Sequence, residues 1–155
     1  MSLANFSKPQ APKTSAKRGK TAEGKVREYI KALDLKLTGF TGNRIGDAGA
    51  AGGRFVSQAG DFQTFGWGKN WLLEVKEVAH DYRVKHANFG EEQVARMRKR
   101  EMAGTVPLVL VYHSTVRQWR MPDFEFFGSR EGGSWDLRDW NLGTLASFLD
   151  AEFRP

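Results

Sequence analysis

Apolar and polar positions follow two rhythms along this chain. Val26, Tyr29, Ile30 and Leu33 recur at spacings of three and four, which predicts an amphipathic helix over residues 21–33 with Thr21 as its N-cap. Trp71, Leu73 and Val75 alternate with Leu72, Glu74 and Lys76, the period of a strand over 71–78. Short strands are expected at 54–57 and 61–65, with a turn at 66–70. A second helix over 90–103 carries Val94, Met97 and Met102 and stops at Gly104. The run 106–112 is almost continuously apolar, as in a buried central strand, and Pro107 places its start. A tight connection at 113–115 leads to a strand over 116–121. Leu142, Leu145, Ala146, Leu149 and Phe153 mark a last helix over 141–153, with Trp135 and Trp140 in the loop before it. Nine of the 17 glycines fall between Gly39 and Gly68, so 39–53 reads as a loop; 79–89 reads as a polar loop. The order predicts an α/β fold with a mixed central β-sheet flanked by helices.

Length and charge refine this picture. A chain of 155 residues favours one domain. Lys and Arg number 24 against 18 Asp and Glu, a net charge of +6. Five of those positive charges (Lys8, Lys13, Lys17, Arg18 and Lys20) lie in residues 1–20, which hold no acid. That segment reads as a disordered basic arm ahead of a single domain at 21–155. It is either a tether along a phosphate backbone or a solubilising tail. A second cluster, Arg96, Arg98, Lys99 and Arg100, must wrap around its helix, because four residues in five cannot share one face. The charge balance points to a polyanionic partner. There is no cysteine, which excludes a disulfide framework, a Cys-ligated zinc site and a thiol nucleophile. No apolar run approaches the ~18 residues of a membrane span, and the N-terminus lacks a signal-peptide core. A cytoplasmic protein, of a bacterial or phage-infected cell, is the expectation.

The chemistry concentrates around residues 61–76. Glu74 and Lys76 stand two apart on a strand, so a carboxylate and an ammonium project from one face while Leu73 and Val75 anchor the other. Asp61 lies 13 residues before Glu74, across a Gly-Trp-Gly turn that can return its carboxylate to Glu74. Two carboxylates at one point suit Mg²⁺ or Mn²⁺, and a neighbouring Lys can orient a water or stabilise charge on a phosphate. Glu23 lies along the apolar stripe of the first helix. An inward carboxylate there needs a partner or a cation, unless it serves the helix dipole from the first turn. Asp47 is the rival first acid, but Phe62 and Phe65 give Asp61 firmer support. Glu77 falls on the opposite strand face from Glu74. His80, His86 and His113 lack metal-motif spacing and are expected at the surface. Trp67 and Trp71 flank the site in sequence, with Trp71 expected in the core. Arg44, Arg54, Lys69 and Lys85 are candidates to grip phosphates.

Asp61…Glu74-Val75-Lys76 resembles the D…(D/E)-x-K signature of the PD-(D/E)xK nuclease superfamily, with Gly60 where the pattern often has Pro. Within it the chain is most similar to RecU-like Holliday junction resolvases. The match runs in order through Arg18-Gly19-Lys20-Thr21-Ala22-Glu23, Asp61, Glu74-Val75-Lys76, a helix bearing Gln93, then Gly104, residues 106–112 and Gln118-Trp119-Arg120-Met121. It covers about residues 18–127; segments 39–60 and 128–155 have no counterpart. The resemblance implies a restriction-endonuclease-like fold and a Mg²⁺-dependent endonuclease, with Mn²⁺ as a substitute and no organic cofactor. It implies Asp61, Glu74 and the Val75 carbonyl as metal ligands and Lys76 as the residue that positions the water. Glu23 would complete the acidic cluster. Gln93 either orients the site or is an exposed helix residue. Branched DNA is the implied partner and a homodimer the implied assembly, in DNA recombination and repair. Lys17, Arg18, Lys20, Arg44, Arg54, Lys69, Lys85, Arg96 and Lys99 are the expected DNA contacts. A nuclease on linear, flapped or single-stranded DNA, and a catalytically silent DNA-binding module, remain the alternatives.

Overall fold

The computed structural model describes residues 15–46 and 60–155, with side chains from Thr21 onward. Helix α1 spans Ser15–Lys36, longer than the 21–33 expected. Its packed stripe is Ala22, Val26 and Ile30, all buried. Strand β1 (Phe40–Arg44) follows; a loop was expected there, and only Phe40 of its five residues is buried. Its strand character comes from pairing with β2 (Phe62–Gly66), not from its own apolar pattern. The strand expected at 54–57, with Arg54 and Asp47, lies outside the described residues.

Strand β2 turns into β3 (Lys69–Val78) through Trp67 and Gly68, both at positive φ (50° and 75°). A two-residue hairpin loop of this kind matches the right-handed twist of its strands. The left-handed backbone at Trp67 costs roughly 1–2 kcal/mol, and the indole recovers contact against Phe40, ring centroids 6.2 Å apart.

The polar loop expected after β3 contains strand β4 (Arg83–Lys85) and a short 3₁₀ turn, His86–Asn88. Helix α2 (Glu91–Met102) buries Val94 and Met97; Met102, expected among its apolar positions, is exposed. Gly104 ends it at φ 99°, as the sequence implied. Strands β5 (Val106–His113) and β6 (Gln118–Arg120) form a hairpin, and β7 (Ser134–Asp136) pairs with β4. Trp135 is therefore a strand residue. Helix α3 (Leu145–Glu152) starts later than expected, where the Thr144 hydroxyl accepts from the Ser147 N–H at 3.1 Å.

The main sheet runs β1-β2-β3-β5-β6, with β3 and β5 parallel and the other pairs antiparallel. Helix α2 makes the crossover that a parallel pair requires. One face, bearing Phe62, Trp71, Leu73, Val75, Leu110 and Tyr112, packs against α1 and α3. The other, bearing Leu72, Val78, Val109 and Val111, packs against α2, Phe89, Phe127, Trp135 and Leu137. Fully burying a side chain of this size contributes about 1.5–3 kcal/mol.

Candidate active site

The alternation of β3 decides what surrounds Glu74. Leu73 and Val75 enter the core beneath α1, so Glu74 and Lys76 are turned to the α2 side, as their spacing predicted. Strand β2 begins at Phe62, opposite Leu73, whereas β3 continues to Val78 paired only with β5. The sheet therefore parts beside Glu74. Asp61 occupies the fork: its N–H donates to the Leu73 carbonyl at 2.8 Å, and its carboxylate accepts the Val75 N–H at 2.7 Å. The carbonyl of Val75 points to the same edge as its N–H, because both groups of one strand residue face one neighbour. Gly60 permits this closeness; a Cβ there would sit 2.9 Å from the Leu72 side chain and 3.1 Å from the Leu73 carbonyl oxygen.

Glu74 is 1% exposed. Lys76 Nζ lies 2.5 Å from its Oε1 and donates to Gln93 Oε1 at 3.1 Å. The same ammonium stands over the Phe89 ring, 5.1 Å from the centroid. Three contacts thus fix the Lys76 head, and Gln93 is a contact of the site, not an exposed helix residue. Glu74 Oε2 is buried with no hydrogen-bond partner of proper geometry. A buried unsatisfied carboxylate oxygen is costly, which marks a place for a ligand.

Burial raises the Glu74 carboxyl to about 8; Lys76 opposes the rise and the Asp61 charge adds to it. Burial also raises Asp61 to about 6, against the Val75 N–H that favours its charged form, with Glu23 adding to the rise. Glu23 is salt-bridged to Arg44 at 3.0 Å. The longer α1 places Glu23 well inside the helix, so a first-turn dipole role does not apply.

The acids suit a divalent cation. Among the described residues no group of three or more His, Cys, Asp or Glu side chains is arranged to hold a metal. Mg²⁺, however, is commonly held by one or two carboxylates with water completing its shell. Asp61, Glu74 with its unpartnered oxygen, and the Val75 carbonyl form such an all-oxygen edge.

The cation candidates separate. Arg44 joins the acidic cluster through Glu23. Arg96, with Arg100, follows Gln93 along one exposed stripe of α2, leading away from the site. Lys99 is exposed on another side. Arg98 serves packing, 2.7 Å from Glu125 and over the Phe124 ring. Lys85 projects from β4. Trp67, expected to flank the site, sits at the far end of the β2–β3 hairpin, as does Lys69. Trp71 packs edge-on against Phe153 at 4.9 Å, in the core as expected. Glu77, on the opposite face from Glu74, accepts the Ala22 N–H at 2.9 Å. His113, expected at the surface, is fully buried. The side chains of Lys17, Arg18 and Lys20, and all of Arg54, lie outside the described residues. Sequence reading missed Arg83, which shares the outer face of β4 with Lys85; three residues of polar-apolar-polar alternation are too short a signal.

No family model and no curated protein matches the chain. Among solved structures it is similar to Hjc, a Holliday junction resolvase of the archaeal hyperthermophile Archaeoglobus fulgidus. The TM-score is 0.50 at 15% identity, over 72% of this chain and 84% of that one. The fold is restriction-endonuclease-like. Within such a fold Asp61, Glu74 and Lys76 stand at the fork of the sheet, with α1 behind and α2 in front. The neighbour bears on the fold alone and not on the RecU-like branch. No helix among the described residues is long and apolar enough to cross a membrane.

Proposed function

We propose that the chain is a metal-dependent DNA endonuclease that resolves four-way junctions. The observation that carries this reading is Glu74: a buried carboxylate with one oxygen on Lys76 and the other unpartnered, beside Asp61. Asp61, Glu74 and the Val75 carbonyl would hold Mg²⁺, with Mn²⁺ as a substitute. The bound cation supplies Lewis acidity to a phosphodiester oxygen and lowers the pKa of a bound water. Lys76, held by Glu74, Gln93 and Phe89, positions that water and faces charge developing on the phosphate. Gln93 keeps the ammonium aimed, and Arg44, braced by Glu23, offers a second cation at the rim. The fold shared with a Holliday junction resolvase supports the junction as substrate. The order of motifs from Glu23 to Trp119 supports the RecU-like branch, and a homodimer would present two sites to a branched DNA.

The test is cleavage of a labelled four-way junction, a linear duplex, a flap and a single strand in Mg²⁺, with Glu74→Ala and Lys76→Ala as blanks. Paired symmetric nicks in the junction, absent from both variants, are expected. Equal cutting of the linear forms would move the activity to a general nuclease. Cutting that survives both substitutions would remove the proposed site.

A further inference from the structure

Past Lys76, strand β3 runs into a cavity of about 840 Å³. Its walls include His80 after β3, Arg83 and Lys85 of β4, Asn88, and Ser134 of β7. The volume falls within the range of roughly 300–1,000 Å³ of ligand clefts. It adjoins the candidate site, because Asn88 precedes Phe89, whose ring lies beneath the Lys76 ammonium. Arg83 and Lys85 flank buried Val84, so their side chains leave one face of β4 about 7 Å apart. Glu77 is the acid among the lining residues, and its carboxylate accepts the Ala22 N–H on the far side of the sheet. Asp136, opposite Arg83 across the ribbon, is held by Arg138 at 2.6 Å.

The wall bearing these cations is built, not loose. His80 Nδ1 accepts the N–H groups of Tyr82 and Arg83 at 3.2 and 3.0 Å. His113 Nδ1 bonds the His80 carbonyl at 2.7 Å, its Nε2 meets Arg120 at 3.1 Å, and Arg120 donates to the Asp81 carbonyl. His113 is 0% and Arg120 7% exposed. Two buried polar side chains are thus committed to holding an exposed turn. Such support is what a binding surface requires of its second layer.

We propose that this cavity seats the phosphate backbone of the DNA strand on one side of the scissile bond, Arg83 and Lys85 each meeting one phosphate. Two cations repeated along a strand match a repeating anion better than a single small one. Asn88 and Ser134 add hydrogen-bond groups to sugar or phosphate oxygens. The inference rests on the nuclease reading, but binding and cutting separate the two.

The experiment is fluorescence anisotropy of a labelled four-way junction in EDTA across a KCl series. It compares the wild type, the double variant Arg83→Ala/Lys85→Ala, and Lys36→Ala at the exposed C-terminal end of α1. Cleavage in Mg²⁺ is measured in parallel. The double variant is expected to lower the slope of log affinity against log salt by about two, while Lys36→Ala leaves it unchanged. Both replaced side chains are exposed, and circular dichroism of the variant checks its fold. An unchanged slope with wild-type cutting intact would overturn the cavity as a DNA seat and spare the nuclease reading. A lowered slope in a protein that never cuts would do the reverse. Absence of DNA binding by the wild type would overturn the cavity inference outright.

Discussion

Glu74 is a carboxyl held almost out of solvent. Its carboxyl moves from an ordinary 4.5 to about 8 on burial, so the fold favours its neutral form. Below the ordinary value both folded and unfolded chains hold the proton and nothing is lost. Between that value and about 8 the unfolded chain ionises while the folded chain keeps its proton. Metal-free stability therefore falls as pH rises through this window and levels off above it. Desolvation lowers the His113 value, which places its effect on the acid side of its ordinary 6.5. Melting in EDTA between pH 7 and 8.5 therefore isolates the carboxyl. The melting temperature is expected to drop across that interval in the wild type and to stay nearly flat in Glu74→Gln. Added Mg²⁺ should raise the wild-type value most at the alkaline end and leave Glu74→Gln almost unmoved. Asp61, Glu74, Lys76 and Gln93 were legible in the sequence because strand alternation and one helix turn bring them together. The Glu23–Arg44 pair was not, since a cross-element ion pair leaves no periodic trace.

Two glycines separate local propensity from packing. Gly24 lies inside α1, and a Cβ there would meet nothing within 4 Å. Gly42 lies in β1, where a Cβ would sit 2.5 Å from an Ile30 methyl and 2.9 Å from a Thr64 methyl. Gly24→Ala is expected to stabilise by about 0.5–1 kcal/mol through helix propensity. Gly42→Ala should destabilise by about 1–3 kcal/mol through overpacking and push α1 away from the sheet. Urea denaturation of the two variants would show midpoints shifted in opposite directions. The same contrast explains which elements the sequence disclosed. α2, β3 and β5 have enough apolar residues in phase to announce themselves. β1 and β4 are short, bury one residue each, and exist because a neighbouring strand pairs with them.

The whole molecule places its site by sandwiching one sheet between two unlike layers. α1 and α3 close the Trp71 side, and Phe153 seals it, 5.1 Å from Phe40 and 4.9 Å from Trp71 by ring centroid. The Glu74 side is covered by α2, the β4–β7 ribbon and the aromatic turn that bears Phe124 and Phe127, and it keeps its polar groups at the edge where β2 has ended. Phe153→Ala should cost about 3–5 kcal/mol yet leave any cleavage rate per folded molecule intact, since the ring is on the far side of the sheet from Glu74. Calorimetry paired with activity normalised to the folded fraction would check that separation. A loss of rate greater than the loss of folded protein would mean that the two faces are coupled.

The hairpin between Asp61 and Glu74 also acts as a gauge. Trp67 and Gly68 are seven and six residues from Glu74, about 20 Å along the strand, and touch nothing of the acidic cluster. Yet they count out the residues that bring Asp61 to the fork. A slip of one residue at that tip would exchange the faces of the strand, presenting Phe62 to Lys76 and turning the Asp61 carboxylate toward α1. The chain can vary what lies around its carboxylates more readily than it can vary the length of that turn. The left-handed indole residue at the tip is thus a spacer for the carboxylates at the opposite end.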